Sequence, residues 1–316
     1  MKFGAPWRIA IATSKKQSRR EFRIHQIFAI FASSRLCVES LSFGMCMRRI
    51  IERPTSLAAI RILGVRVDDV TMNETLTLVA AMIAAGGPHQ IATVNPEFIM
   101  AAQRNRAFRA TLEAATLAVP DGTGLLYAAR WQGRSLREKV TGLDLTERLA
   151  AESAARGWRI FLLGAAPGVA ERAAAVLHQR YPGTQIVGTW AGSPRPADQP
   201  EITRRIQAAQ PDLVLVAYGA PTQDLWLRRY GAELGIAVGI GVGGTFDDLA
   251  GIRPRAPHIL RRFGLEWLYR LVRHPSRWRR IMTAVPVFGW AAWREARRGD
   301  RGLGIGDQRS VHGERN

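Results

Sequence analysis

The chain has 316 residues, 47% of them hydrophobic, and carries 45 Lys/Arg against 26 Asp/Glu for a net charge of +19. That length and apolar content fit one large packed domain with an appendage. Only two cysteines are present, Cys37 and Cys46, which excludes a disulfide framework and a cysteine-based zinc site. No apolar run reaches the ~18 residues that a bilayer-spanning helix needs.

The charge is unevenly spread. Residues 1–55 hold 11 Lys/Arg and 3 Asp/Glu, residues 252–316 hold 15 and 5, and the body between them holds 19 and 18. A near-neutral body with two basic ends suits a polyanionic partner, either nucleic acid or an anionic lipid surface, although a solvated charged tail has the same composition. Residues 1–56 are basic and only weakly amphipathic, with short interrupted apolar clusters such as Ile27 to Ala32. They give no clean signal peptide and read as a disordered leader or extension.

In chain order, Ile60 to Val67 alternates as a strand. Thr71 and Glu74 form a capping-box pattern for a helix over 71–85, stopped by Gly86-Gly87-Pro88. A short buried strand, Gln90 to Val94, precedes one helix over 96–115, marked by Phe98, Ala101, Ala102, Phe108 and Leu112. A strand over 117–119 hands over to a helix at 124–131, and a further amphipathic helix covers 143–156. Trp158 to Leu163 is a near-continuous apolar run, as expected of a parallel strand buried on both faces. Helix 169–180, strand 185–188, a Gly/Ser/Pro-rich loop at 191–199, helix 200–209, strand 213–218, helix 222–234 and strand 236–240 complete the series. This alternation predicts an α/β, Rossmann-like fold with a mostly parallel, doubly wound sheet over 57–250. An Arg- and Trp-rich helical appendage over 251–298 and a disordered tail over 299–316 follow.

Residues 116–124, Thr-Leu-Ala-Val-Pro-Asp-Gly-Thr-Gly, are the most informative stretch. A strand ends at Pro120, one carboxylate follows at Asp121, and Gly122 and Gly124 lead into a helix. α/β proteins place their chemistry at such junctions. As a bare motif, Asp121 serves equally well as a helix cap. Other segments change that balance: Thr93-Val-Asn95-Pro-Glu97, Glu138-Lys139-Val140 with Gly142-Leu-Asp144, Gly219-Ala-Pro221-Thr-Gln223-Asp224, Gly241-Val-Gly243-Gly244-Thr-Phe-Asp247, Arg255-Ala-Pro257 and Leu265-Glu266-Trp267. Together they resemble the WecG/TagA/CpsF-type glycosyltransferases. That family contains the N-acetylmannosamine(uronate) transferases of enterobacterial common antigen and wall teichoic acid synthesis. The resemblance spans roughly residues 58–282 and rests on about seven ordered motifs.

Glycosyl transfer must hold a nucleotide, neutralise a diphosphate leaving group, and orient and deprotonate an acceptor hydroxyl. The sequence has no Asp-x-Asp triplet, and the side chains of the adjacent pairs Asp68-Asp69 and Asp247-Asp248 would diverge on a strand. This favours chemistry without a metal or other cofactor, the leaving group being met by helix N-termini and cationic side chains. The resemblance implies that Asp121 is the base of an inverting reaction, with Thr93 and Asn95 as the polar pair beside it. It also implies that Gln223 and the Gly219 and Pro221 turn, Gly243, Gly244 and Asp247, and Lys139, Asp144, Gly164, Arg255 and Glu266 bind substrate. Milder readings make Asn95 a turn residue and Gln223 a first-turn helix residue. Where the family has Arg, this chain has Lys139, which keeps the charge and loses the bidentate fork. Gly164 to Gly168 lacks the Gly-Lys-Ser/Thr ending of a P-loop and reads as a close-approach turn.

In the tail, Arg270, Arg273, Arg277 and Arg280 recur at spacings of three or four and share a helical face beside Trp and Tyr residues. That pattern suits an anionic bilayer or RNA. The resemblance selects the membrane, because the family's acceptors are polyprenyl-pyrophosphate-linked sugars. The expected protein is a UDP-sugar-dependent hexosyltransferase, peripheral on the cytoplasmic face of the cell membrane, without a nucleic-acid partner. The rivals are a glucosyl or mannosyl transferase of exopolysaccharide assembly and a noncatalytic nucleotide- or RNA-binding protein. A homo-oligomer is an open alternative.

Overall fold

The computed structural model describes residues 57–253, 257, 260, 266–273 and 278–303. Its centre is a six-stranded parallel sheet. The strands are β3 (His89–Val94), β4 (Leu117–Pro120), β5 (Arg159–Gly164), β6 (Gln185–Trp190), β7 (Leu213–Ala217) and β8 (Val238–Gly241), in the order β4-β3-β8-β7-β5-β6. Separately, β1 (Ala59–Ile62) and β2 (Val65–Asp68) form an antiparallel hairpin. The single strand expected over 60–67 is thus two. Gly64 takes φ +74° and Leu63 φ +49°, and a two-residue turn with both φ values positive folds the chain back on itself.

The first helices are α1 (Met72–Ala85), α2 (Pro96–Arg104), α3 (Arg106–Ala114), α4 (Thr123–Trp131) and α5 (Gly142–Arg156). The expected capping box is present: Thr71 accepts from Glu74 N, and Glu74 accepts from the backbone of Thr71. The continuous helix expected over 96–115 breaks at Asn105. That residue ends α2 through its N–H and caps α3 by accepting from Phe108 N at 3.0 Å. An Asn side chain offers the backbone an alternative to helix continuation.

The remaining helices of the body are α6 (Val169–Arg180), α7 (Gln199–Ala209), α8 (Thr222–Leu234) and α9 (Thr245–Leu249). β6 runs to Trp190 rather than stopping at Gly188. Gly188 stands opposite Phe161 at a register shift, and a Cβ there would lie 2.5 Å from the Phe161 ring. The glycine leaves room for a partner side chain instead of ending the strand.

Side chains along the strands alternate between two cores, as both faces of a parallel sheet are covered. Ile91, Leu117, Ile160, Leu162, Leu215 and Ile240 pack with α1, α5, α6 and α9. On the opposite face, Ala92, Val94 and Ala118 pack with α2, α3 and α4, and Phe161, Leu163, Val214 and Val216 pack with α7 and α8.

Beyond the sheet lie α10 (Glu266–Arg273), α11 (Trp278–Met282), a π-helical turn at Thr283–Val287 containing Pro286, and α12 (Phe288–Leu303). α12 is anchored to the body. Phe288 and Ala292 are buried among Ile99, Leu125, Ala128 and Ala129. The Glu295 carboxylate accepts from Leu63 N at 2.7 Å and from Gln132 Nε2 at 3.0 Å, tying the helix to the hairpin turn and the end of α4.

Candidate active site

Four adjacent strands, β4-β3-β8-β7, deliver most of the expected residues to one edge of the sheet, at their carboxyl ends. Open α/β sheets bind ligands there. Asp121 follows β4 directly, and its N–H donates to Val94 O at 2.7 Å, holding it beside the end of β3. On the outer side of β4, Val140 N donates to Pro120 O at 2.8 Å. This short pairing brings half-buried Lys139 to the same edge as Asp121. Thr141 then caps α5. Its Oγ1 accepts from Asp144 N at 3.1 Å and donates to the Asp144 carboxylate at 2.7 Å.

On β3, Thr93 is buried and donates to Gly241 O at 2.9 Å across to β8. Asn95 accepts from Phe98 N at 3.0 Å and caps α2. Both side chains therefore hold local structure beside Asp121, Asn95 as a helix N-cap.

Gln223 sits in the first turn of α8, fully buried, and does more than begin a helix. Its Oε1 accepts from Gly219 N at 3.1 Å and from Gly243 N at 3.0 Å. One amide oxygen thus fastens the turn after β7 to the turn after β8. The Gly219 turn has φ +78° and a cis Ala220–Pro221 bond, and Gly243 has φ +59°. Asp247 makes an ion pair with Arg253 at 2.8 Å, next to Gly244. Gly164 closes β5 one strand further along, packed on Ala217, with Ala165 N donating to Ala217 O at 3.2 Å.

The helices α4, α6 and α8 all begin at this edge, and none has a side-chain cap. Uncapped helix N-termini offer backbone N–H groups and a partial positive charge to an anion. Lys139 and Arg253 add cationic side chains. Of the two acidic pairs, Asp68 turns inward, accepting from Ala118 N at 2.8 Å, while Asp69 turns outward to Arg137 at 3.0 Å. Among the described residues, no three His, Cys, Asp or Glu side chains gather to hold a metal ion.

Two residues carry features that sequence reasoning did not weigh. Asp224 is fully buried, and burial pushes its carboxyl up to about 7. Its place directly after Gln223 was the available signal. Burial and the charge of Asp198 raise the Tyr218 phenol well above its ordinary range. Arg255 and Arg277 lie outside the described residues. Glu266, Arg270 and Arg273 fall on α10 and Arg280 on α11, and residues 274–277 between those helices are also outside, so one continuous arginine face is not part of the described structure.

A doubly wound sheet with a carboxylate, glycine turns and cationic groups at the carboxyl ends of its strands has the layout of an α/β ligand site. Comparison with known proteins narrows the class. The model of the glycosyl transferase WecG/TagA/CpsF family matches residues 60–302, and the chain belongs to that family. It is therefore an enzyme of the glycosyltransferase class. Among its relatives is an N-acetylglucosaminyldiphosphoundecaprenol N-acetyl-beta-D-mannosaminyltransferase of Bacillus spizizenii, 35% identical over 207 residues, covering 66% of this chain and 79% of the relative. The protein of the same name from Bacillus subtilis is 33% identical over 205 residues, covering 65% and 79%. That from Staphylococcus aureus strain MW2 is 29% identical over 242 residues, covering 75% and 93%.

Proposed function

We propose that the protein transfers an N-acetylmannosamine-type sugar from a UDP donor to a polyprenyl-diphosphate-linked acetylglucosamine, in one inverting displacement and without a metal. The observation that carries this reading is the convergence of Asp121, Lys139 and the two Gln223-tied glycine turns on the carboxyl ends of β4, β3, β8 and β7. The acceptor and sugar follow the activity named for the mannosaminyltransferase relatives.

The Asp121 carboxylate takes the proton of the acceptor hydroxyl as its oxygen attacks the anomeric carbon. The bond from that carbon to the diphosphate oxygen breaks on the opposite face, which inverts the centre and releases UDP. The leaving diphosphate gains charge, which the N-terminus of α8, set beside the two Gln223-tied turns, and the Lys139 ammonium stabilise. Arg253 and Asp247 border the nucleotide beside Gly244.

The acceptor lipid lies in a membrane, and the appendage suits its surface. Among the described residues no helix is long and apolar enough to cross a bilayer. Trp278, Trp290, Val272 and Val287 are exposed, as are Arg273, Arg294, Arg297 and Arg298. Exposed aromatics among arginines fit peripheral attachment to an anionic cytoplasmic leaflet. Purified protein given UDP-, GDP- and CMP-activated sugars with a short-chain polyprenyl-diphosphate acetylglucosamine tests the reading. UDP release with a UDP-N-acetylmannosamine donor supports it, and preference for a glucosyl or mannosyl donor overturns the assigned sugar.

A further inference from the structure

We infer that Asp224 is a positioning residue whose buried carboxyl holds the Gln223 side-chain amide, and through it the Gly219 and Gly243 turns, in the arrangement that receives the donor diphosphate. The last step rests on the proposed function; the rest stands on geometry.

Gln223 uses Oε1 for both turn N–H groups, which fixes which end of the amide faces the turns. Its Nε2 therefore points the other way. That nitrogen is buried and has no hydrogen-bond partner among the described residues, and the same is true of both carboxyl oxygens of Asp224. The two groups meet over one residue of β8. A Cβ built on Gly241 would lie 2.5 Å from Gln223 Nε2 and 3.0 Å from Asp224 Oδ1, so the glycine leaves the space that both occupy. A donor without an acceptor and an acceptor without a donor thus share one enclosed site.

The start of α8 is held there from a second side. Gln90, on β3, donates through Nε2 to the Asp224 carbonyl at 3.1 Å. The first turn of the helix is thereby locked to β3, while its Gln223 side chain reaches the turns after β7 and β8. The carboxyl completes this arrangement as the partner of Nε2.

A buried polar group without full hydrogen bonding costs stability, so its retention calls for a reason. Among the described residues the other buried carboxylate, Asp68, has a structural one, because it accepts from Ala118 N and lies 3.7 Å from Arg66 Nε. Among the described residues Asp224 has no ion pair of that kind. If its carboxyl only filled space, a methyl group there would relieve the fold and leave the turns as they are. If it orients the amide, removing it frees Gln223 to rotate and loosens both turn N–H groups.

The test uses the full-length chain as wild type, Asp224→Ala and Asp224→Asn. Amide hydrogen exchange at Gly219 and Gly243 is read by NMR, with thermal melting and UDP titration alongside. Asp224→Ala should leave Tm unchanged or raised, speed exchange at those two amides by about tenfold or more, and weaken UDP binding by about tenfold. Asp224→Asn keeps an acceptor oxygen and should hold exchange to within about twofold of wild type. Exchange and UDP affinity in Asp224→Ala that match wild type would overturn the inference. So would a fall in Tm with faster exchange throughout the chain, or an Asn variant that exchanges as fast as the Ala variant. A wild-type protein that binds no UDP counts against the donor assignment, and the exchange results then decide the role of Asp224 alone.

Discussion

Replacing Gln223 with Ala removes the one oxygen that joins two turns of the site. Gly219 N and Gly243 N, now at 3.1 and 3.0 Å from Oε1, each lose their acceptor. A stranded buried donor costs roughly 1–3 kcal/mol, and both sites are partly buried, which places each toward the lower end. The lost packing of a fully buried side chain adds to this, for a total of roughly 2–5 kcal/mol. At about 2–4 °C per kcal/mol for a domain of this size, Tm should fall by roughly 5–15 °C. Gln223→Glu keeps the acceptor oxygens and sets a second carboxyl beside Asp224. Its loss should be smaller than that of Ala at pH 5 and should grow as pH rises. Thermal unfolding followed by tryptophan fluorescence measures both. A Gln223→Ala melt within about 1 °C of wild type would show that the two turns stand without the amide, and the reasoning would fail.

Asp224 gives the chain a distinct pH dependence. Its folded-state value is raised from 3.8 to about 7, so the neutral acid is the form the fold tolerates. Its contribution is fully present below the unfolded value and is lost as pH rises through about 7. Relative to Asp224→Asn, wild type should lose on the order of 4 kcal/mol between pH 4 and pH 8, measured by urea unfolding; parallel stability curves would contradict this. Transfer activity should survive exhaustive chelation, given the absence of an Asp-x-Asp element, and loss on EDTA with rescue by Mg²⁺ or Mn²⁺ would show the mechanism wrong. Replacing Arg270, Arg273, Arg277 and Arg280 by Glu should weaken sedimentation with anionic vesicles, spare that with neutral ones, and do so less at high salt. Unchanged binding to anionic vesicles would remove this face as the membrane contact.

The strand–turn–helix alternation was legible because buried parallel strands and amphipathic helices leave different periodicities. Helix 169–180 and helix 222–234 match the observed α6 and α8 at both ends. Where the reading slipped, a single residue acts through tertiary or local hydrogen bonds that periodicity does not record. Asn105 splits a helix whose apolar pattern continues through it, Gly64 folds one alternating run into a hairpin, and Gly188 accommodates Phe161 rather than ending a strand. The same holds for the site. Motif order brought out Asp121, Thr93, Asn95 and Gln223, which the fold gathers at one edge. It could not show that Gln223 bridges two turns, nor that Asp224 is buried beside it, because periodicity does not record a side-chain bridge between turns and the Gln90 contact comes from β3, far from α8 in sequence.

The most direct measurement is the turnover of Asp121→Asn against wild type, with a UDP-activated N-acetylmannosamine and a polyprenyl-diphosphate acetylglucosamine. The substitution keeps the shape of the side chain after β4 and removes the proton acceptor. Wild type should release UDP and form the disaccharide-linked lipid, and the variant, with unchanged melting and UDP affinity, should turn over more slowly by about 10²-fold or more. Turnover by Asp121→Asn close to that of wild type would contradict the account at its centre.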